Sequence, residues 1–261
     1  GDDVTGHGIG DRVGVGWIFR STGAENENLS DEFVATGRDV DGGYAEFMKV
    51  HERYAVPVPD ELSDTEAAPL LCAGSVGLRA LKMTGLRDGD ALGLTGFGGS
   101  GHLVLKFVRY LYPKSPIFVF ARNAEERQFA LELGAAWAGD TMDVPPEPPQ
   151  AIIDTTPAWQ PVLAALRCLA PGGRLVINAI RKEDGDKAVM GGIDYAEHLW
   201  REKQLITVAN VTAHDIKVCL EIAALAGIKP DVTTYQLTEA NEALLALRNS
   251  QVRGAKVLVM A

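Results

Sequence analysis

Gly96, Gly98 and Gly101 stand in G-x-G-x-x-G spacing within Gly96-Phe97-Gly98-Gly99-Ser100-Gly101. Glycine at the first two positions lets a backbone turn tightly and approach a pyrophosphate, and the third lets a helix pack closely on a strand. The free N–H groups at the start of that helix then hold the anion. The bare spacing is common, so its weight rests on what flanks it. Residues 91–95 (ALGLT) form a short apolar run before the glycines, and Leu103, Val104, Phe107, Val108 and Leu111 follow at helical spacing, stopped by Pro113. With residues 117–120 (IFVF) as a second buried strand, the order is strand, glycine turn, helix, strand. A glycine-rich turn without a ligand is the plain alternative. Ser100 lacks the G-x-S-x-G spacing of a nucleophile elbow, and a phosphate turn explains it better.

A second position tests the turn. At the end of the strand about twenty residues on, an acid holds the ribose 2′-hydroxyl of NAD and an arginine suits the 2′-phosphate of NADP. The sequence there is Phe120-Ala121-Arg122-Asn123, with no acid, so Arg122 points to NADP, although nothing excludes NAD. The cysteines Cys72, Cys168 and Cys219 include no close pair, so neither a disulfide framework nor a metal knuckle follows from them, and a reducing compartment fits best. Cys72, in Pro69-Leu70-Leu71-Cys72-Ala73-Gly74, reads by composition as a small buried apolar residue. His7, His51, His102, His198 and His214 are scattered and show no ligand spacing.

These residues need a scaffold, and the alternation continues past the turn. Asn123 caps a helix ending at Gly134; 151–154 is a strand, 159–169 a helix, 174–180 a strand and 205–211 another. Strands alternating with helices imply a parallel, doubly wound α/β sheet. The closing segments, helix 216–226, strand 232–235, helix 238–247 and strand 256–260, fit that sheet or the first region equally. In the first region, 12–18 and 44–50 read as strands, and Ser63-Asp64-Thr65-Glu66 is a capping box opening a helix towards Met83.

The whole is 261 residues with a net charge of −10 and 46% apolar residues. Such a surface repels a polyphosphate backbone, which argues against nucleic acid, and no apolar run spans a bilayer. The chain starts at Gly1 without a secretory leader, so a cytoplasmic protein is expected, and without Met, so it can begin inside a longer one.

Together these segments resemble the zinc-dependent alcohol dehydrogenases of the medium-chain dehydrogenase/reductase superfamily. The likeness runs through Gly10-Asp11-Arg12-Val13, Gly37-Arg38-Asp39-Val40-Asp41-Gly42-Gly43-Tyr44-Ala45-Glu46, Glu66-Ala67-Ala68-Pro69-Leu70-Leu71-Cys72-Ala73-Gly74, the 96–101 turn, and Val252-Arg253-Gly254-Ala255-Lys256-Val257-Leu258. It implies a Rossmann domain, residues 73–212, inserted in a GroES-like, β-rich catalytic domain, residues 1–72 and 213–261, whose N-terminal part is missing. It also implies a cofactor-binding role for Thr155, Ala179 and Arg253, the last reaching the pyrophosphate. Cys72 falls on a catalytic zinc position, but one thiolate cannot supply the three protein ligands of a catalytic zinc, so that zinc is expected only if an upstream segment supplies the rest. Structural zinc is excluded, since Thr22 and Ser30 stand where the first and last cysteines of the family's zinc lobe align and no Cys lies between them.

The expected function is hydride transfer between NADP or NAD and a small alcohol or aldehyde, by a homodimer or homotetramer. Two alternatives are a non-catalytic dinucleotide-binding remnant and a zinc-independent quinone or enone reductase of the same superfamily.

Overall fold

The computed structural model describes residues 1, 3–249 and 253–260. The chain separates into two compact units, residues 1–75 with 210–261 and residues 76–209.

In the first unit, β1 (Val13–Val15) pairs antiparallel with β2 (Ala55–Pro57), Val13 facing Pro57. The expected capping box forms: Ser63 Oγ accepts the Glu66 N–H, the Glu66 carboxylate accepts the Ser63 N–H, and α1 (Asp64–Pro69) starts there. Pro69 cannot donate to the helix ladder, and the chain continues as a single π-helical turn, Leu70–Gly74, into α2 (Ser75–Thr84). The division between units falls inside this unbroken helical stretch, so no loop or composition shift marks it.

The second unit is a six-stranded sheet. β3 (Leu92–Thr95) leads through α3 (Gly99–Leu111) to β4 (Ile117–Phe120), then α4 (Ala124–Glu132), β5 (Trp137–Gly139), β6 (Ala151–Asp154), α5 (Gln160–Cys168), β7 (Arg174–Ile177) and β8 (Gln204–Thr207). The strand order is β5-β4-β3-β6-β7-β8 and every pairing is parallel. That is the doubly wound arrangement, with the order reversing between β3 and β6. β3, β4 and β6 are buried along their whole length, as a parallel sheet covered on both faces requires. Ile152, Leu175 and Ile177 pack against Val162, Ala165 and Leu166 of α5.

The chain then returns to the first unit with α6 (Ala213–Ala226), whose N-cap Thr212 forms a capping box with Asp215 and whose end is Gly227 at φ 62°. β9 (Val232–Gln236) follows, then α7 (Ala240–Arg248), and β10 (Ala255–Val259) pairs parallel with β9. The closing strands therefore form their own two-stranded sheet and leave the six-stranded one alone.

Several expected elements differ. Residues 44–50 form no strand; residues 44–49 are exposed, Phe47 at 89%, and without a ladder partner an extended segment gains neither hydrogen bonds nor burial. Strand 174–180 stops at Ile177 and strand 205–211 at Thr207, where the paired register of β6, β7 and β8 ends apart from one further hydrogen bond on each side, Asn178 N–H to Asp154 and Val208 N–H to Ile177. β5 and the helical turns Lys187–Gly192 and Tyr195–Leu199 carry no sequence periodicity long enough to announce them. Among the described residues no helix is long and apolar enough to cross a membrane.

Candidate functional site

At the C-terminal end of β3 the backbone turns at Gly96, φ +79°, where a Cβ would meet Thr155 Oγ1 at 2.7 Å. Gly98 is the N-cap of α3 and offers no side chain to cap it, so the helix opens on its own amides and the positive end of its dipole. A Cβ on Gly101 would stand 2.8 Å from the Gly96 carbonyl oxygen, so only glycine allows α3 to lie this close to the turn. Phe97 departs from the rest of the turn. Its side chain is buried against Phe129, ring centroids 5.5 Å apart, and its N–H is directed to the Glu126 carboxylate. Phe97 anchors the turn from below, leaving Gly98, Gly99, Ser100 and Gly101 as the residues that can present amides to an anion.

Arg122 lies two residues beyond β4 and is exposed. Asn123 Oδ1 caps α4 by accepting the Glu125 N–H at 2.8 Å, and Glu126 in that first turn is the carboxylate that the Phe97 N–H meets. Burial raises the pKa of Glu126 there, against the opposing pull of the Phe97 N–H and the Arg122 charge. The end of β4 and the start of α3 are thus tied through one carboxylate.

Thr155 follows β6 in the ladder: its N–H donates to the Thr95 carbonyl at 3.0 Å and its Oγ1 to the same oxygen at 2.9 Å. Below it lies a group that sequence reasoning missed. Asp154, fully buried, ion-pairs with Lys182 and accepts hydrogen bonds from Thr95 Oγ1 at 2.5 Å and Thr156 Oγ1 at 2.8 Å. Lys182 Nζ also donates to the Thr156 and Ala158 carbonyls, each at 2.8 Å. Asp186 accepts the N–H groups of Trp159 and Gln160, which start α5, and the Gln160 N–H leads in lowering its pKa. The loops after β6 and β7, which carry Thr155 and Ala179, are therefore pinned to one another. An Asp ending a buried apolar strand was the available signal, since it requires a cation or several donors. Asn178, next to Ala179, is 8% exposed, and its side-chain Oδ1 and Nδ2 have no hydrogen-bond partner among the described residues.

Cys72 sits in the π-helical turn between α1 and α2 and, contrary to the compositional reading, is exposed, though the atoms around it still raise its thiol pKa by desolvation. All three cysteines are free, and Cys219 is fully buried, its thiol pushed up to about 12 by desolvation. His102 and His198 are buried with their Nδ1 atoms on main-chain partners, Gly98 and Asp194. Among the described residues no three His, Cys, Asp or Glu side chains gather around a point that could hold a metal, so the described residues do not by themselves fit a zinc site. Arg253 is exposed in the turn before β10, in the first unit; its neighbour Val252 lies outside the described residues.

Where the family's zinc lobe aligns, a carboxylate occupies the centre. Glu27 is 3% exposed and accepts from Gly23 N–H (3.0 Å), Tyr54 O–H (3.0 Å) and the Ala213 N–H at the start of α6 (2.9 Å). Thr22 Oγ1 and Ser30 Oγ accept the local amides of Ala24 and Glu32.

No family model matches the chain. It is 39% identical over 257 residues to the probable alcohol dehydrogenase AdhA of Mycobacterium tuberculosis (strain CDC 1551 / Oshkosh), covering 96% of this chain and 72% of that protein. Among solved structures it is similar to a cinnamyl alcohol dehydrogenase of Sorghum bicolor, with 26% identity and a TM-score of 0.81 over 100% of this chain and 77% of that one. A cinnamyl alcohol dehydrogenase structure from Helicobacter pylori, complexed with NADP(H), shares the fold at 23% identity and TM-score 0.82, over 100% and 77% of the two chains. The doubly wound sheet, the glycine turn at its reversal point and the identity to AdhA place the chain in the zinc-dependent alcohol dehydrogenase family of the medium-chain dehydrogenase/reductase superfamily, the NAD(P)-dependent oxidoreductases of alcohols and aldehydes.

Proposed function

We propose that residues 76–209 form the dinucleotide-binding domain and that NADP, in preference to NAD, binds along the C-terminal edge of its sheet. In this reading residues 1–75 and 210–261 form the GroES-like catalytic domain. The observation that carries the reading is the turn itself: a left-handed Gly96, a side-chain-free N-cap at Gly98 and a Gly101 that admits no Cβ, all at the reversal between β3 and β6. The pyrophosphate lies on the amides of Gly98 to Gly101, Arg122 meets the 2′-phosphate, Thr155 and Ala179 border the nicotinamide half, and Arg253 keeps the pyrophosphate-binding role that the resemblance implies. The chain's residues bind and orient the cofactor for hydride exchange with a small alcohol or aldehyde. The NADP(H) complex of the Helicobacter pylori relative supports the choice of cofactor. Cys72, accessible on its turn, would be one thiolate donor for a catalytic zinc if an upstream segment supplies the other ligands. No structural zinc is expected in the lobe around Glu27, since no cysteine stands at Thr22, at Ser30 or between them. The free cysteines support a reducing, cytoplasmic setting, and an assembly of two or four copies is expected, as the resemblance implies.

Titration of NADPH fluorescence tests the binding half. Gly98→Val puts a branched side chain where the pyrophosphate approaches and is expected to weaken NADPH by up to several kcal/mol. Equal affinity in wild type and a folded Gly98→Val protein overturns the assignment.

A further inference from the structure

Asn178 extends the parallel ladder by one residue. Thr95, Asp154 and Ile177 are in register on β3, β6 and β7, and one residue further on Gly96, Thr155 and Asn178 continue the row, their N–H groups donating to Phe120, Thr95 and Asp154 carbonyls at 2.9, 3.0 and 2.7 Å. Side chains alternate along a strand, so the packing of Leu175 and Ile177 against α5 turns Val176 and Asn178 to the opposite face. Thr155, next after Asp154, lies on that face too, its Oγ1 2.7 Å from where a Cβ on Gly96 would stand. The row therefore carries a glycine turn, a hydroxyl and, at its far end, a buried primary amide whose oxygen and nitrogen have no hydrogen-bond partner among the described residues. Buried amides are almost always paired, and one that is not points to a partner absent from the protein itself.

We propose that Asn178 is a cofactor-binding residue whose side-chain amide pairs with the carboxamide of the nicotinamide ring. This rests on the dinucleotide reading above. A dinucleotide crosses the reversal point with its pyrophosphate on the turn after β3, and Arg122 after β4 marks the adenosine side. The nicotinamide half then lies over the ends of β6 and β7, where Asn178 stands. A primary carboxamide has one acceptor and two donors, which complements another primary amide atom for atom. The ribose on that side offers hydroxyls instead, so the ligand series must separate ring from sugar.

The test compares dissociation constants of NADP+, of its fragment 2′-phospho-ADP-ribose, which keeps the terminal ribose but lacks the ring, and of the 3-acetylpyridine analogue, whose methyl replaces the carboxamide NH2. In wild type the analogue is expected to bind about tenfold more weakly than NADP+. Asn178→Leu is expected to weaken NADP+ by about the same factor, to leave 2′-phospho-ADP-ribose unchanged, and to erase the difference between NADP+ and the analogue. Equal wild-type affinity for NADP+ and the analogue overturns the proposal, and this arm stands even if the variant does not fold. Parallel weakening of all three ligands by Asn178→Leu overturns it too, by showing a structural role. Failure of 2′-phospho-ADP-ribose to bind wild type is a different result: it rejects the dinucleotide site itself, and the proposal with it.

Discussion

Glu27 holds together three pieces of chain far apart in sequence, which makes Glu27→Gln a sharp perturbation. The carboxylate accepts three hydrogen bonds, from Gly23 N–H and Tyr54 O–H on Oε2 and from Ala213 N–H on Oε1. A glutamine of the same shape keeps one acceptor oxygen and turns the other into a donor facing a donor. Whichever way the amide is oriented, a charge-assisted bond of about 1.5 to 3 kcal/mol is lost and a buried N–H is left without an acceptor, at about 1 to 3 kcal/mol. The lost charge near the amide that starts α6, a helix of 14 residues, removes up to about 2 kcal/mol more. Because these costs overlap, the expected net destabilisation is about 2 to 4 kcal/mol, a lowering of Tm by roughly 10 °C. With two compact units a single global transition is not assured, so hydrogen exchange carries the local readout: peptides covering residues 20–30 and 210–216 should lose protection while those of the 76–209 unit do not. The Tyr54 phenol, whose pKa is raised mainly by desolvation and next by the Glu27 hydrogen bond, should also titrate lower in the variant. Wild-type Tm together with unchanged exchange in both peptides refutes the view that Glu27 organises this lobe.

Two further substitutions address the nucleotide unit. Arg122→Ala should weaken NADP by about 1 to 3 kcal/mol and leave NAD nearly unchanged in paired titrations, since the contact proposed for the exposed guanidinium is with the 2′-phosphate that NAD lacks; equal changes for both cofactors remove Arg122 from that role. Lys182→Met should lower Tm in thermal unfolding, because it strands the fully buried Asp154 without its cation at a cost of about 3 to 5 kcal/mol, and an unchanged Tm refutes that.

What the sequence makes legible here is what short-range chemistry decides. The glycine turn, the Ser63–Glu66 capping box, the Asn123 cap and the buried runs at 92–95 and 117–120 each announce themselves within a dozen residues. Residues 44–50 mislead for the same reason: Tyr, Phe and Val make a plausible strand locally, but a strand exists only if another pairs with it. β5, three residues long, is the converse case, since its neighbour β4 makes it a strand. Glu27 draws its donors from positions 23, 54 and 213, and Lys182 lies 28 residues from Asp154, so neither pairing leaves a trace in composition or spacing. Thr155 and Ala179, known from the resemblance alone, are found in the two loops that this pair locks.

The period-two alternation of the sheet sorts the polar residues of its C-terminal edge into two groups that must behave in opposite ways. Thr95 and Asp154 share the α5 face with Lys182, where every donor meets an acceptor, and such a closed network rigidifies. Asn178, on the other face with Thr155, contributes an amide with no partner among the described residues, which burdens the fold by about 1 to 3 kcal/mol. Breaking the closed network should therefore lower stability. Replacing the open amide by leucine should leave stability equal or raise it, while ligand affinity falls. A residue that weakens the fold where it stands and strengthens a complex is the signature of a binding group, and a purely structural asparagine shows the reverse.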